Sequence, residues 1–336
     1  MTRSILLLPL LSLALAAPAH AADGDKIVVK AGTVAPDGTP WSELLKRMKR
    51  RFKKDSDKRI KLKSYLGGRL GGEKEMLRET REGRIHLWGG STAAMATMVP
   101  ELSVLEAPFL FDDDKEADFV LERVRPHVKA LLEKQGFVFY QYSENGWHGL
   151  ALKETCVKTM DDLKGRKIRS QESKIHLDTF KALGANPVEM AVPEVLPALK
   201  QGVVDGFSNT PLFSFATSWY QGVGHFTDTN HIYQPAVLVY SKKWFDKQPK
   251  EVQKVLLDGV EDDEKFGRNG IRAIRQGLMD NFTKSKIEVC TPSPALVAEM
   301  KKATSNIFDD YEKKSTKAGK ALFKAIRDAK AAYKKK

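Results

Sequence analysis

The fold is decided by the stretch from Ile27 to Tyr65, which reads IVVKAGTVAPDGTPWSELLKRMKRRFKKDSDKRIKLKSY. Its first six residues predict a buried strand, and the alternation in Ile60–Tyr65 predicts a second one. Between them, Thr39 and Pro40 are typical of a helix cap and of the first helical position. The helix has one apolar face, formed by Trp41, Leu44, Leu45, Met48 and Phe52. This strand–helix–strand unit indicates an α/β domain with a largely parallel sheet.

The same alternation continues along the chain. Further strands are predicted at 85–88, 136–142, 167–170, 203–209 and 236–241, and helices at 73–81, 174–183 and 193–201. From Pro249 to about Phe282 the helical pattern has no internal proline, which predicts one long helix that reaches across two lobes. The chain is long enough for two domains. We therefore infer two α/β lobes between which the chain crosses more than once.

The N-terminal segment is typical of a signal peptide. Arg3 is followed by the apolar run Ile5–Ala17, and Ala19-His20-Ala21 has the small-x-small pattern of a cleavage site. We place the cut after Ala21, so that residues 1–21 are removed and the mature protein is periplasmic. The alternative, an uncleaved anchoring helix, conflicts with the shortness of the apolar run.

The chain is basic, with a net charge of +13. Much of the excess positive charge lies in a helix at Lys46–Lys54 and in the tail at 313–336. We interpret the first segment as the solvent-exposed face of an amphipathic helix and the second as a solvated helix end. Nucleic acid is not an expected partner, since no zinc-finger spacing or aromatic–basic recognition pattern is present. Cys156 and Cys290 do not form a CxxC motif. Two cysteines in an exported chain often form one disulfide, but the sequence leaves open whether these are bonded.

A series of segments, in order along nearly the whole chain, resembles the solute receptors of tripartite ATP-independent periplasmic (TRAP) transporters, the DctP family. They are AGTVAPDGTPW (31–41), GRLGGE (68–73), LRETREG (77–83), PELSVLEAPFLF (100–111), DLKGRKIR (162–169), ALGANP (182–187), the segment 193–206 and WFDKQPKEVQ (244–253). The resemblance implies a two-lobe, hinged periplasmic-binding fold of type II with a long helix along both lobes. Lobe I is then expected at 22–146 plus 235–275 and lobe II at 147–234 plus 276–312, with a basic C-terminal helix or tail at 313–336.

The resemblance also implies the function. Such a receptor captures a small organic acid in the cleft between its lobes and delivers it to the membrane subunits of a TRAP transporter. We expect no enzymatic activity, no cofactor and a monomer, and the sequence leaves open whether a metal accompanies the ligand.

Arg169 is the first candidate ligand-binding residue. It ends a predicted strand, and ligands of open α/β sheets bind beyond the carboxyl ends of the strands. A guanidinium group matches a carboxylate with two parallel hydrogen bonds. In the family, an arginine at the matching position holds the substrate carboxylate. The alternative is a surface arginine in a salt bridge.

The chain departs from the family pattern at two places. Asn209 matches, but Phe207 and Ser208 replace the usual glutamine and glutamate. His148 stands where many members have arginine, and it is only partly charged at neutral pH. The further candidates are the pocket-wall aromatics Trp41, Trp88, Trp147, Phe207, Phe213 and Trp219 and the hydroxyl residues Thr33, Ser91 and Thr92. The loss of two polar groups at Phe207 and Ser208 disfavours a sugar acid or a simple dicarboxylate. Together with the aromatic residues, the departures favour a carboxylate with an apolar or aromatic body.

Three alternatives remain open at this stage. A receptor of the same fold for a lipid or other hydrophobic ligand predicts an apolar tunnel. An exported hydrolase is disfavoured because the sequence has no G-x-S-x-G or H-E-x-x-H motif. A metal site at His225, Asp228 and His231 is disfavoured because the spacing of the histidines matches no usual pattern.

Overall fold

A computed structural model describes residues 26–335 of the chain. Within them the chain forms eleven strands and thirteen α-helices. The strands are β1 (Ile27–Gly32), β2 (Ile60–Tyr65), β3 (Leu87–Ser91), β4 (Phe137–Trp147), β5 (Gly149–Leu152), β6 (Lys167–Ser170), β7 (Asn186–Glu189), β8 (Gly206–Asn209), β9 (His225–Thr227), β10 (Tyr233–Ser241) and β11 (Glu288–Cys290). The helices are α1 (Pro40–Asp55), α2 (Glu73–Arg81), α3 (Thr92–Met95), α4 (Asp114–Lys134), α5 (Lys174–Ala182), α6 (Val195–Gln201), α7 (Pro211–Ala216), α8 (Lys242–Phe245), α9 (Lys250–Leu257), α10 (Val260–Lys284), α11 (Pro294–Thr304), α12 (Ile307–Lys314) and α13 (Lys317–Tyr333). The proposed signal peptide, residues 1–21, lies outside the described residues.

The described strands form two sheets, one in each lobe. The first has the order β2-β1-β3-β10-β4 and the second β11-β9-β5-β8-β6-β7. In each sheet one strand, β10 or β5, runs antiparallel to its neighbours. These are the strands by which the chain enters a sheet after crossing from the other: β5 follows β4 directly, and β10 follows β9. The predicted α/β architecture with two lobes is confirmed. The chain crosses between the lobes at β4–β5 and β9–β10, crosses again along α10 to β11, and returns with α13.

The first unit of lobe I forms as the sequence predicts. The hydroxyl of Thr39 caps α1 by accepting a hydrogen bond of 3.3 Å from the amide of Ser42. Val29 of β1 and Leu62 of β2 are buried in the same apolar core as the inner face of α1. The cap therefore defines where the helix begins, and the apolar faces define how it lies on the sheet.

The prediction of a single long helix over residues 249–282 is wrong, because this segment forms two helices, α9 and α10. Gly259 lies between the two helices with a φ of 73°, a left-handed conformation that favours glycine. The longer part, α10, contacts β4 of the first sheet and β11 of the second. The helix along both lobes is thus confirmed for α10 alone.

The C-terminal segment is a packed helix, which corrects its interpretation as a solvated end. Helix α13 lies against α4 of lobe I and buries Leu322, Phe323 and Ile326 in the core of that lobe. The ammonium group of Lys330 lies 2.8 Å from the carboxylate of Glu116. Charge counting missed this because the apolar residues recur at helical spacing among the lysines.

No helix among residues 26–335 has both the length and the apolar character that crossing a membrane requires. The structure joins Cys156, in the loop after β5, to Cys290 of β11 in a disulfide, with 6.2 Å between their Cα atoms. The disulfide links segments 134 residues apart in the chain.

Candidate ligand-binding site

The loops that follow the parallel strands of the two sheets meet between the lobes. A Cβ atom placed on Gly72, after β2, would lie 3.5 Å from the Cβ of Ala191, after β7. The ammonium of Lys74 lies 4.0 Å from the carboxylate of Glu172 in the opposite lobe. A cavity of about 700 Å³ lies between these loops, and its lining comes from both lobes. This volume is typical of small-molecule sites.

Arg169, near the end of β6, is buried next to this cavity, with 1% of its surface exposed. Its Nε and Nη2 donate hydrogen bonds of 3.1 and 2.8 Å to the carbonyl oxygen of Met190, a cavity-lining residue. Its guanidinium carbon lies 4.8 Å from the centre of the Trp219 ring. The Nη1 atom is buried and has no hydrogen-bond partner. Burial lowers the pKa of Arg169 to about 10, so the group remains a cation at neutral pH.

Glu73, the first residue of α2, is a site residue that sequence reasoning missed. Its carboxylate accepts hydrogen bonds from the amide and the hydroxyl of Ser91, at 2.7 and 2.9 Å. Burial raises the pKa of Glu73 to about 7, while the Ser91 bonds and the charge of Arg169 act in the opposite direction. Residue 90 must be glycine here, because a Cβ would overlap the Glu73 carboxylate and the Trp88 ring. A signal was present, since Glu73 ends the segment GRLGGE that resembles the family, but no ligand-binding role was assigned to it.

The three predicted hydroxyl residues, Ser91, Thr92 and Thr33, form hydrogen bonds within the protein. The hydroxyl of Ser91 donates a hydrogen bond to the carboxylate of Glu73. The same hydroxyl caps α3 by accepting a hydrogen bond from the amide of Ala94. The hydroxyl of Thr92 lies 2.5 Å from a carboxylate oxygen of Glu106. Thr33 accepts a hydrogen bond from the amide of Ala35. Ser91 and Thr92 thus donate their hydroxyl hydrogens within the protein, whereas the Thr33 hydroxyl is described only as an acceptor.

The candidate residues in β8 and in the following helix α7 have different environments. Asn209 is buried at the end of the strand, where its Oδ1 accepts a hydrogen bond of 2.7 Å from the amide of Thr210. Phe207 is fully buried in the core of lobe II and contacts the Trp219 ring at 5.3 Å between centres. Phe213 belongs to the core of lobe I. Phe207 thus packs within the core of lobe II, and its role as a wall of the pocket stays a prediction.

His148 is fully buried between β4 and β5, at the first crossover. Its Nδ1 lies 3.0 Å from the hydroxyl of Ser208, while its Nε2 has no partner. Burial, followed by the nearby His176 and His231, lowers the pKa of His148 well below 6.5. The imidazole is therefore neutral, and Arg169 has no second cation beside it from this position.

The tryptophans occupy separate places. The indole of Trp147 donates a hydrogen bond of 2.6 Å to Asp114, and the residue lines another cavity together with Arg275. Trp147 does not line the cavity of about 700 Å³ between the lobes, and its role as a wall of the ligand cleft stays a prediction. Trp41 donates to Asn145 of the crossover strand β4, and Trp88 is fully buried in the core of lobe I. Trp219, by contrast, lies against the guanidinium of Arg169.

The candidate metal residues do not come together. His225 lies 3.4 Å from Glu288, Asp228 pairs with Arg275 at 2.7 Å, and His231 contacts the hydroxyl of Thr229 at 2.7 Å. Among residues 26–335 only one group has the spacing of metal ligands, formed by Cys156, Glu288 and Cys290. Its cysteines are joined in the disulfide.

Comparison with known proteins places these observations in context. The family model described as bacterial extracellular solute-binding protein, family 7, matches residues 31–314. The 2,3-diketo-L-gulonate-binding periplasmic protein YiaO of Escherichia coli is 30% identical over 233 residues, which cover 69% of this chain and 71% of that protein. The sugar acid binding protein DctPAm of Advenella mimigardefordensis, solved with galactonate, has a TM-score of 0.85 and 27% identity, covering 91% of this chain and 99% of that one. A TRAP periplasmic solute-binding protein of Citrobacter koseri, solved with D-glucuronate, has a TM-score of 0.83 and 29% identity, covering 90% and 99%.

Proposed function

Because the chain belongs to the bacterial extracellular solute-binding proteins of family 7, we propose that it is a periplasmic receptor for a small hydroxylated monocarboxylate. The acid binds in the cleft between the lobes, and the receptor delivers it to the membrane subunits of a TRAP transporter. Binding requires no chemical step. Contacts from both lobes would favour the arrangement in which the two lobes meet around the ligand.

One observation carries the proposal, namely the buried Nη1 of Arg169 without a hydrogen-bond partner. A buried donor without an acceptor costs free energy, and a charged donor costs more than a neutral one. A ligand carboxylate supplies both the missing acceptor and the missing negative charge. The position supports this assignment, because the Met190 carbonyl that holds Arg169 belongs to a residue lining the interlobe cavity.

The other charges near Arg169 support a single carboxylate. The groups that act on its guanidinium through space are the carboxylates of Glu73, Glu172 and Glu194. A second carboxylate on the ligand would face these acids, and His148 is neutral. Repulsion between like charges therefore favours monocarboxylates over dicarboxylates such as succinate.

The Glu73 carboxyl supports a ligand with hydroxyl groups, since it is a strong acceptor in the same buried region as Arg169. Relatives that bind galactonate, D-glucuronate and 2,3-diketo-L-gulonate point the same way. The sequence favoured an apolar or aromatic ligand because of six aromatic residues and the departures from the family pattern in β8 and at His148. Of those aromatic residues, Trp88 and Phe207 are buried in the cores of the lobes and Trp147 lines another cavity. The polar group of Glu73, in turn, was not among the residues predicted from the sequence.

The test is a thermal-shift screen, together with mass spectrometry of whatever co-purifies with the protein. We expect D-galactonate or D-glucuronate to raise the melting temperature and succinate to do so less. A response confined to long-chain fatty acids would contradict the proposal and favour the lipid receptor instead. Arg169 disfavours a neutral lipid, because a ligand without a hydrogen-bond acceptor cannot satisfy a buried guanidinium.

Three assignments from the sequence remain part of the proposal. They are the cleaved signal peptide at residues 1–21, the lobe boundaries given above and the monomeric state. The intact mass of protein from the periplasm tests the first. Light scattering tests the last, with a mass near twice that of one chain contradicting it.

A further inference from the structure

We propose that Trp219 is a positioning residue for Arg169, and that the Met190 carbonyl directs the ligand carboxylate to the Nη1 end of the guanidinium. This inference rests on the proposed function for its ligand, but it concerns how the anion-binding group is held. Trp219 itself would not form a wall against the ligand.

The Met190 carbonyl occupies one edge of the guanidinium. It accepts from both Nε and Nη2 of Arg169, the two donors of that edge. The loop that presents it is itself tied to β6, because the Met190 amide donates a hydrogen bond of 3.1 Å to the Ser170 carbonyl. A carboxylate therefore cannot use the Nε edge, and it must approach the end of the group that carries Nη1.

Trp219 supports one face of the same group. Its ring centre lies 4.8 Å from the guanidinium carbon, within the range of a cation–π contact. The ring is 1% exposed, and it meets the Phe207 ring edge-on, at 73° between the planes. Because the indole is anchored in the core of lobe II, it limits the rotation of the guanidinium about its long side chain.

Together these contacts order Arg169 before the ligand arrives. An arginine side chain loses much rotamer freedom when it is immobilised, and ordering it in advance removes that cost from binding. Without the indole face, the guanidinium would keep its charge but lose its orientation. The loss should then appear in affinity for the acid and depend on the planar guanidinium.

A double-mutant cycle tests this coupling by calorimetry with D-galactonate. Trp219→Leu should lower the affinity by about tenfold, whereas Trp219→Phe, which keeps an aromatic face, should lose less than about threefold. In an Arg169→Lys background, which lacks the planar fork, Trp219→Leu should have little further effect. Additive losses, or a Phe variant as weak as the Leu variant, would overturn the proposal.

The control variant is Phe226→Leu, a substitution in the same apolar cluster as Trp219 at a residue with no contact to Arg169 among those described. It should lower the melting temperature without a specific effect on affinity. A second measurement does not depend on the ligand. The Nε–H of Arg169 should exchange slowly with solvent in wild type and in Trp219→Phe, and rapidly in Trp219→Leu. Unchanged slow exchange in Trp219→Leu would reject the positioning role even if galactonate proves not to bind, whereas failure of wild type to bind any acid rejects only the proposed function.

Discussion

Glu106 and His176 join the two lobes, with 2.7 Å between the carboxylate Oε2 of Glu106 and the Nε2 of His176. Glu106 ends a short 3-10 helix of lobe I, His176 lies in α5 of lobe II, and both are fully buried. The same carboxylate accepts a hydrogen bond of 2.7 Å from Gln234 of the crossover strand β10, and another from Thr92 at its second oxygen. The buried carboxylate of Glu106 thus accepts hydrogen bonds from both lobes and from a strand that links them.

We expect His176→Ala to destabilise the protein by about 1–3 kcal/mol, the cost of leaving a buried acceptor with one donor fewer. Denaturant unfolding monitored by circular dichroism measures this change. His225→Ala is the matched control, since His225 is partly exposed and pairs only with Glu288. Equal effects of the two substitutions would show that the interlobe contact contributes no specific stability.

Removing the guanidinium should abolish most of the affinity for the acid. A charge-assisted hydrogen bond contributes about 1.5–3 kcal/mol, so Arg169→Ala should weaken the binding of D-galactonate by tenfold or more in calorimetry. Arg166→Ala is the control, because Arg166 is close in the chain and has a long, 3.3 Å pair with Glu154 at the surface. Unchanged affinity in the Arg169 variant would reject the assignment of the site.

Glu73 should make ligand binding depend on pH near neutrality. Its pKa in the folded protein is raised from 4.5 to about 7 by burial. The protonated form therefore prevails below pH 7, and an additional negative charge develops near Arg169 as the pH rises through 7. We expect affinity for a carboxylate to fall between pH 6 and pH 8, and Glu73→Gln to remove this dependence.

The same shift has a consequence for stability without ligand. A carboxyl group whose pKa is raised on folding stabilises the folded state below its unfolded pKa of 4.5, and that contribution is lost as the pH rises through about 7. The melting temperature of Glu73→Gln should therefore fall less than that of wild type between pH 5 and pH 8. Glu82→Gln, at the other end of α2, serves as the control. A wild-type pH profile retained by Glu73→Gln would assign the titration to another group.

The pair of Lys74 and Glu172 should contribute only modestly to closure. The two charges face each other across the cleft at 4.0 Å, and Lys74 is more than half exposed. Exposed pairs contribute about 0–1 kcal/mol, so Lys74→Glu should weaken ligand binding by less than about fivefold at low salt. The exchange Lys74→Glu with Glu172→Lys should restore the affinity. A loss that the exchange fails to repair would mean that Lys74 acts on the ligand directly.

Local patterns were enough to predict much of the fold. The observed bounds of β1, β2, β6 and α2 agree with the sequence patterns, because apolar periods of 2 and 3.6 report which face of each element is buried. The break at Gly259 was missed, since a single glycine does not interrupt an apolar pattern. The packing of α13 was missed because its net charge hid an apolar stripe.

Local residue patterns are sufficient to predict that strands and helices alternate, that the chain builds two lobes, and that Arg169 lies near the carboxyl end of a strand. The surroundings of that arginine depend on the folded chain: they are the carboxyl of Glu73 in the opposite lobe, the Met190 carbonyl and the Trp219 ring. The position of Phe207 in the core likewise depends on the folded chain. Local periodicity depends on residues that are neighbours in the chain. The atoms that meet in a cleft come from distant segments, and the relative placement of those segments depends on the packing of the whole protein.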